Sequence, residues 1–188
     1  MKDLLEERGR ALEETFFYLA ENTLLEKIKK EEADTDLREH LKMITGIEGQ
    51  SSLDNLISLN ITTSSVMALT YIPFIAVAWA DGAIEDFEKA IILNKAKAEL
   101  GHNSLETIEL LNNWLTERPS DLLLNVWKEY VWAFKKNHTS AEYTAFTREV
   151  IHFSHDIASI AGGIFGIGYE SKSEKDLITS FENLFESI

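Results

Sequence analysis

Cysteine is absent from this 188-residue chain, which removes disulfides, thiolate metal sites and cysteine nucleophiles together. Proline occurs twice and glycine nine times, so breakers are few and long uninterrupted helices are open to it. Leu, Glu, Ala and Lys are abundant, and with them the composition leans to an all-α fold. Positive charge is scarce: 18 Lys and Arg stand against 32 Asp and Glu, a formal net charge of −14. Such a field repels phosphate backbones and anionic headgroups over roughly 8–10 Å. Neither nucleic acid nor a membrane is therefore an expected partner, whereas cations and basic proteins are. Long hydrophobic runs are missing as well. The stretch from Ile157 to Tyr169 is shorter than the about 20 residues a bilayer demands. Residues 1–20 hold no apolar run of signal-peptide length. A soluble, cytoplasmic protein is the expectation.

Apolar residues, 45% of the chain, are spaced for helices. Asp3 to Lys30 reads as one long amphipathic helix, with Leu5, Leu12, Phe16, Leu19, Leu24 and Ile28 recurring at three-, four- and seven-residue intervals. It is either an ordinary packing helix or an arm for a protein partner or a second copy of the chain. Short helices follow over Asp36–Thr45, ended by Gly46, and from Ser51 to Leu59. A helix-turn-helix reading of this region fails, because Glu48 to Tyr71 contains no Lys or Arg to meet a phosphate. Pro73 then either opens the next helix or kinks one begun near Thr63. That helix, running to Ala80, is apolar on every face and belongs at the centre of a bundle.

Further helices are expected over Asp86–Leu100, closed by Gly101, and over Ser104–Glu117, with Ile108, Leu111 and Leu115 inward. Ser120 is read as the cap of a helix to Lys136 carrying Leu123, Val126, Trp127, Tyr130 and Phe134. Ser140–Ala161 carries Tyr143, Phe146, Val150, Phe153, Ile157 and Ile160. The glycines of Gly162-Gly163 and Gly166–Gly168 lack the Lys-Ser/Thr of a phosphate loop and suit a turn permitting close helix approach. Ser171-x-x-Glu174 is a capping box opening a last helix with Leu177, Ile178, Phe181, Leu184 and Phe185. Short connections make these helices antiparallel neighbours. Residues 1–60 form an N-terminal helical extension and 61–188 the main helical domain.

The chemistry concentrates where the apolar helix stops at Asp81-Gly82. A carboxylate at the carboxyl end of a helix costs about 0.3–1 kcal/mol unless a backbone N–H, a basic side chain or a metal compensates. Glu85, Asp86 and Glu88 crowd the start of the next helix, where negative charge is favoured. Asp81, Glu85 and Glu88 are the candidate ligands for a divalent cation, Mg or Ca, since such hard ions take oxygen donors. The alternative is a helix–helix corner, in which Glu88 bonds back to the Glu85 amide. An EF-hand is excluded by the missing alternating oxygen ligands. Gly82-x-x-Glu85-x-x-Glu88-x-x-Ile91-Ile92 is echoed by Gly168-x-x-Ser171-x-x-Glu174-x-x-Leu177-Ile178, a weak internal repeat whose second copy has Ile167 in place of Asp81.

The string Ala80-Asp81-Gly82, with Glu88 beyond it, Val77-Ala78-Trp79 before it and Ile84 in the turn, resembles the signature of the TerB-like (tellurite-resistance B) all-helical superfamily. The likeness covers Pro73 to Gly101, and the Ser-x-x-Glu helix fits the closing element; residues 1–60 lie outside it. The resemblance implies a compact helical bundle with internal pseudo-symmetry, no enzymatic activity, and an acidic, metal-chelating surface in a stress-response setting. The signature often places Ser, Thr or Asp where this chain has Glu85, which weakens the cap and adds a carboxylate.

Two other readings stand beside it. A metal-dependent enzyme could draw on Glu99–His102 and Glu149–His152, the spacing of ferritin-like di-iron bundles. At about 100° per residue, however, His152 falls far from the stripe of Val150, Phe153 and Ile157, His155 points nearly opposite, and Gly101 breaks the first pair. His155-Asp156 lacks the companions of a phosphohydrolase centre, and no strand–turn–helix elbow exists for a serine nucleophile. A structural module dimerising through Asp3–Lys30 is the third reading. Of the tryptophans at 79, 114, 127 and 132, the last is expected at the surface and the others in the core.

Overall fold

The computed structural model describes residues 23, 24, 26, 27, 30–101, 104–161 and 170–188. The helix expected over Asp3–Lys30 and the glycine turn of 162–169 lie outside them for the most part. Contacts divide the chain into two units, residues 1–39 and 40–188. Backbone at 30–45 is helical, and Gly46 stops it with a φ of +71°, its N–H donating to the Lys42 carbonyl at 2.9 Å. Glycine is needed here twice over, since that φ is left-handed and a Cβ would run into the Asn137 side-chain amide.

The second unit is a bundle of helices: α1 (Gln50–Ser58), a 3-10 stretch (Val66–Tyr71), α2 (Ile72–Ala78), α3 (Asp86–Leu100), α4 (Leu105–Trp114), α5 (Leu122–Asn137), α6 (Ser140–Ala161) and α7 (Lys172–Ser187). No strand occurs among the described residues, and none of their helices is long and apolar enough to cross a membrane. The fold is all-α, as the composition implies.

Helix α2 is the hub. Six of its seven residues, Ile72, Pro73, Phe74, Ile75, Val77 and Ala78, are buried, and it packs against α3, α5, α6, α7 and the 3-10 stretch. A helix apolar all round has no face for water, so it must be enclosed. Each large side chain it buries contributes roughly 1.5–3 kcal/mol. Pro73 sits in the first turn, where its missing N–H breaks no intrahelical bond. Pro73 thus opens the α-helix, the first of the two readings its position allows, and does not kink one begun near Thr63; the chain reaches it through 3-10 turns, whose tighter winding commonly leads into an α-helix.

Around this hub the amphipathic helices lay down their stripes. Trp127 of α5 is fully buried and meets the Phe181 and Phe185 rings of α7 edge-on, at 5.0 and 6.0 Å. Phe153 of α6 meets Phe74 of α2 at 4.7 Å. One inward face and one cap differ from those the sequence pattern suggests. In α4 Leu111 and, just past the helix, Leu115 are buried as expected, but Thr107, Leu110 and Trp114 join them and Ile108 is only half-buried, the face being turned toward Thr107, whose hydroxyl donates to the Ser64 carbonyl at 3.2 Å. In α5 the N-cap is Asp121, and Ser120 serves through its carbonyl, which accepts from Leu123 N–H at 3.0 Å. Trp132 is 54% exposed while Trp114 and Trp127 are buried, as their positions in the helical pattern imply.

Candidate functional site

The acidic corner lies between α2 and α3. Helix α2 ends at Ala78, so Asp81 falls in the turn beyond it rather than on the last helical residues. Gly82 takes a φ of +100° and donates its N–H to the Trp79 carbonyl at 3.1 Å, folding the chain back. The exposed Asp81 carboxylate accepts from the Ala83 N–H through Oδ1 at 3.1 Å. A neighbouring backbone N–H thus supplies one of the compensations open to Asp81.

Three residues past Gly82, α3 starts with Glu85 as its N-cap in extended conformation. The Glu85 N–H donates to Glu88 Oε2 at 2.7 Å, and the Glu88 amide returns a loose contact to the Glu85 side chain, closing a capping box. Glu88 is buried, 2% exposed. Glu85 is half-buried, and its Oε2 is shut away from solvent without a hydrogen-bond partner. Glutamate is one methylene too long for a tight cap, which leaves that oxygen unclaimed.

The second corner repeats the first. Ser171 caps α7, accepting from the Glu174 N–H through Oγ at 3.2 Å, while the Ser171 N–H donates to Glu174 Oε2 at 2.6 Å. Glu174 is also 2% exposed, and Ile92 and Ile178, each four residues past its glutamate, are both buried. The echo in the sequence is thus a repeated structure from the cap inward. Its entry is tied down differently: Glu170 receives a hydrogen bond with His155 Nδ1 of α6 at 2.6 Å, where the first corner uses the Asp81 turn.

These two corners converge electrostatically. Burial is the largest influence on Glu88; the bond from Glu85 N–H opposes it, but the charges of Glu174, Asp81 and Glu85 add to it, and the carboxyl is pushed up to about 7. Glu174 is raised by burial too, against its bonds with Ser171, with the charges of Asp81 and Glu170 acting in the same sense. Asp81 therefore acts on both buried glutamates. Glu174 lies outside the candidate set of Asp81, Glu85 and Glu88, although the Glu88 echo in the sequence marks its position.

No protein-family model, curated protein or solved structure matches the chain.

Among the described residues no group of three or more His, Asp and Glu side chains is arranged to hold a metal ion. What the corner does offer is one buried orphan oxygen on Glu85, a second oxygen on each of Asp81 and Glu88, and mutual carboxylate repulsion that a cation would relieve. The histidine pairs are otherwise engaged: Glu149 bonds Lys95 at 2.8 Å, and exposed His152 lies 3.2 Å from Asp156. His102 is outside the described residues. Glu99 joins a separate network, accepting from Tyr71 Oη at 2.6 Å and from Lys95. The Lys95 ammonium also stands 4.8 Å over the Phe153 ring, so this cluster fastens the 3-10 stretch, α3 and α6 together.

Proposed function

We propose that this chain is a TerB-like helical module that binds rather than catalyses, taking a divalent cation, Mg or Ca, at the corner of Asp81, Glu85 and Glu88. The observation that carries the reading is the Glu85 Oε2 atom, a buried acceptor with no donor, beside a second carboxylate that burial, with the charges of its neighbours, pushes up to about 7. A buried acceptor of this kind costs about 1–3 kcal/mol when left unpaired, and a hard cation relieves it and the repulsion together. The side chains must be drawn inward to coordinate, so an affinity of order 10⁻⁴–10⁻³ M is expected. Binding must also displace the Glu88 proton, so affinity rises as pH passes through about 7.

Calorimetric titration with Mg²⁺, Ca²⁺, Mn²⁺ and Zn²⁺ at pH 6 and pH 8 tests this. Saturable heat is expected, stronger at pH 8, and lost in Asp81→Asn. A cation at about ten times its dissociation constant should raise Tm by roughly 3–6 °C. Absence of heat together with unchanged stability in excess cation overturns the reading and leaves the corner as a helix joint.

A further inference from the structure

We propose that the pocket between α2, α5 and α7 is a binding site for a small zwitterion, an apolar α-amino acid whose two charges meet Arg118 and Asp121. The cavity has a volume of about 270 Å³, just below the range usual for drug-sized ligands, which suits a molecule of metabolite size. Its walls are mainly apolar, with Ile75 and Trp79 from α2 and its end, Leu123 from α5 and Leu177 from α7. Trp79 is fixed in place because its indole N–H donates to the Trp114 carbonyl at 2.8 Å. The ring is therefore a preset wall with no donor left to satisfy.

Polar groups reach the pocket from few places, chiefly Arg118 and Asp121 on the loop before α5. Both side chains are exposed, and neither forms an ion pair or side-chain hydrogen bond with a described residue or with the other. Both border the same apolar space, three residues apart on one loop. A monocarboxylate bound there gains Arg118 but meets Asp121, and a simple amine meets the reverse conflict. Only a ligand bearing both charges satisfies both residues.

The walls decide the rest of the ligand. A charged or amide side chain pushed among Ile75, Trp79 and Leu177 would lose its water without gaining a partner, so leucine, isoleucine, valine and methionine are favoured over lysine, glutamate and asparagine.

Titration calorimetry of the full chain with L-leucine, 4-methylpentanoic acid and 3-methylbutylamine tests the proposal, because each analogue lacks one of leucine's charges. Leucine is expected to bind with Kd on the order of 10⁻⁵–10⁻⁴ M. Each analogue should bind at least about fivefold more weakly, the scale of one partly exposed charge contact. Arg118→Ala should weaken leucine by a similar factor and strengthen the amine, which no longer meets a like charge; Asp121→Asn should weaken leucine and strengthen the acid for the same reason. Ala76→Phe keeps both charges but fills the cavity from its wall, and should abolish binding of all three. Arg118→Ala, at an exposed position, carries the test should Ala76→Phe fail to fold. The proposal is overturned if leucine gives no heat up to roughly 10 mM, if 4-methylpentanoate binds as well as leucine, or if Arg118→Ala leaves leucine binding unchanged.

Discussion

Glu88 joins two demands that conflict. Its carboxylate must accept the Glu85 N–H to cap α3, which favours the ionised form. It must also sit at 2% exposure among the charges of Glu174, Asp81 and Glu85, which favours the neutral form. Burial and repulsion win, raising it from the ordinary 4.5 to about 7. In the unfolded chain the group ionises near 4.5, so below that pH it is protonated in both states and costs nothing. Between 4.5 and 7 the unfolded chain loses the proton and the folded one keeps it, so stability falls as pH rises, and above 7 the full penalty persists. That penalty is roughly 2–3 kcal/mol. Glu88→Gln retains an oxygen for the Glu85 N–H but cannot ionise. The variant should therefore gain on wild type as pH rises from 5 to 8, ending about 2 kcal/mol more stable. Urea midpoints measured across that range check it, and a difference independent of pH would place Glu88 at an ordinary pKa.

The two corners are near-copies that differ in their caps. At α7 a serine hydroxyl meets the Glu174 N–H; at α3 a glutamate stands in that place with one oxygen buried and unpaired. Serine is among the best N-caps, and replacing one by alanine costs about 1 kcal/mol. Ser171→Ala should thus lose about 1 kcal/mol, whereas Glu85→Ser should gain roughly 0.5–1 kcal/mol by removing the orphan oxygen. Thermal melts of both, without divalent cation, decide the matter, and Glu85→Ser should at the same time weaken the cation response. The periodicity and punctuation of the sequence anticipate much at this scale: Asp86–Leu100 and Ser140–Ala161 begin and end where their caps, glycines and apolar spacing place them. The 3-10 lead-in to α2 was hidden because Thr62–Ser65 and Pro73 send competing start signals, and only packing chooses between them. Likewise the turn of α4 toward Thr107 depends on Ser64, 43 residues away. The echo makes Glu88 and Glu174 equivalent in sequence, but that the charge of Glu174 reaches Glu88 and that of Asp81 reaches both is a tertiary fact that no spacing encodes.

At the scale of the molecule the formal charge of −14 sets the ground on which both corners operate. Self-repulsion in a compact chain exceeds that in an expanded one, so screening should stabilise the fold. Raising ionic strength from about 0.01 to 0.15 M shortens the Debye length from about 30 to 8 Å, enough to decouple most surface charges from one another. Buried pairs are screened far less, so salt cannot undo the Glu88–Glu174 repulsion. Sodium chloride should consequently raise Tm by a few degrees at both pH 5.5 and pH 8, the equivalent of about 1 kcal/mol, while the decline in stability between those pH values persists. Magnesium chloride at matched ionic strength separates the general field from the corner. It should exceed sodium chloride at pH 8, where Glu88 is ionised, and match it at pH 5.5, where the proton holds the site. Equal effects of the two salts at pH 8 would mean that the acidic surface feels cations only as a diffuse atmosphere. In Asp81→Asn the excess due to magnesium should disappear while the response to sodium chloride remains.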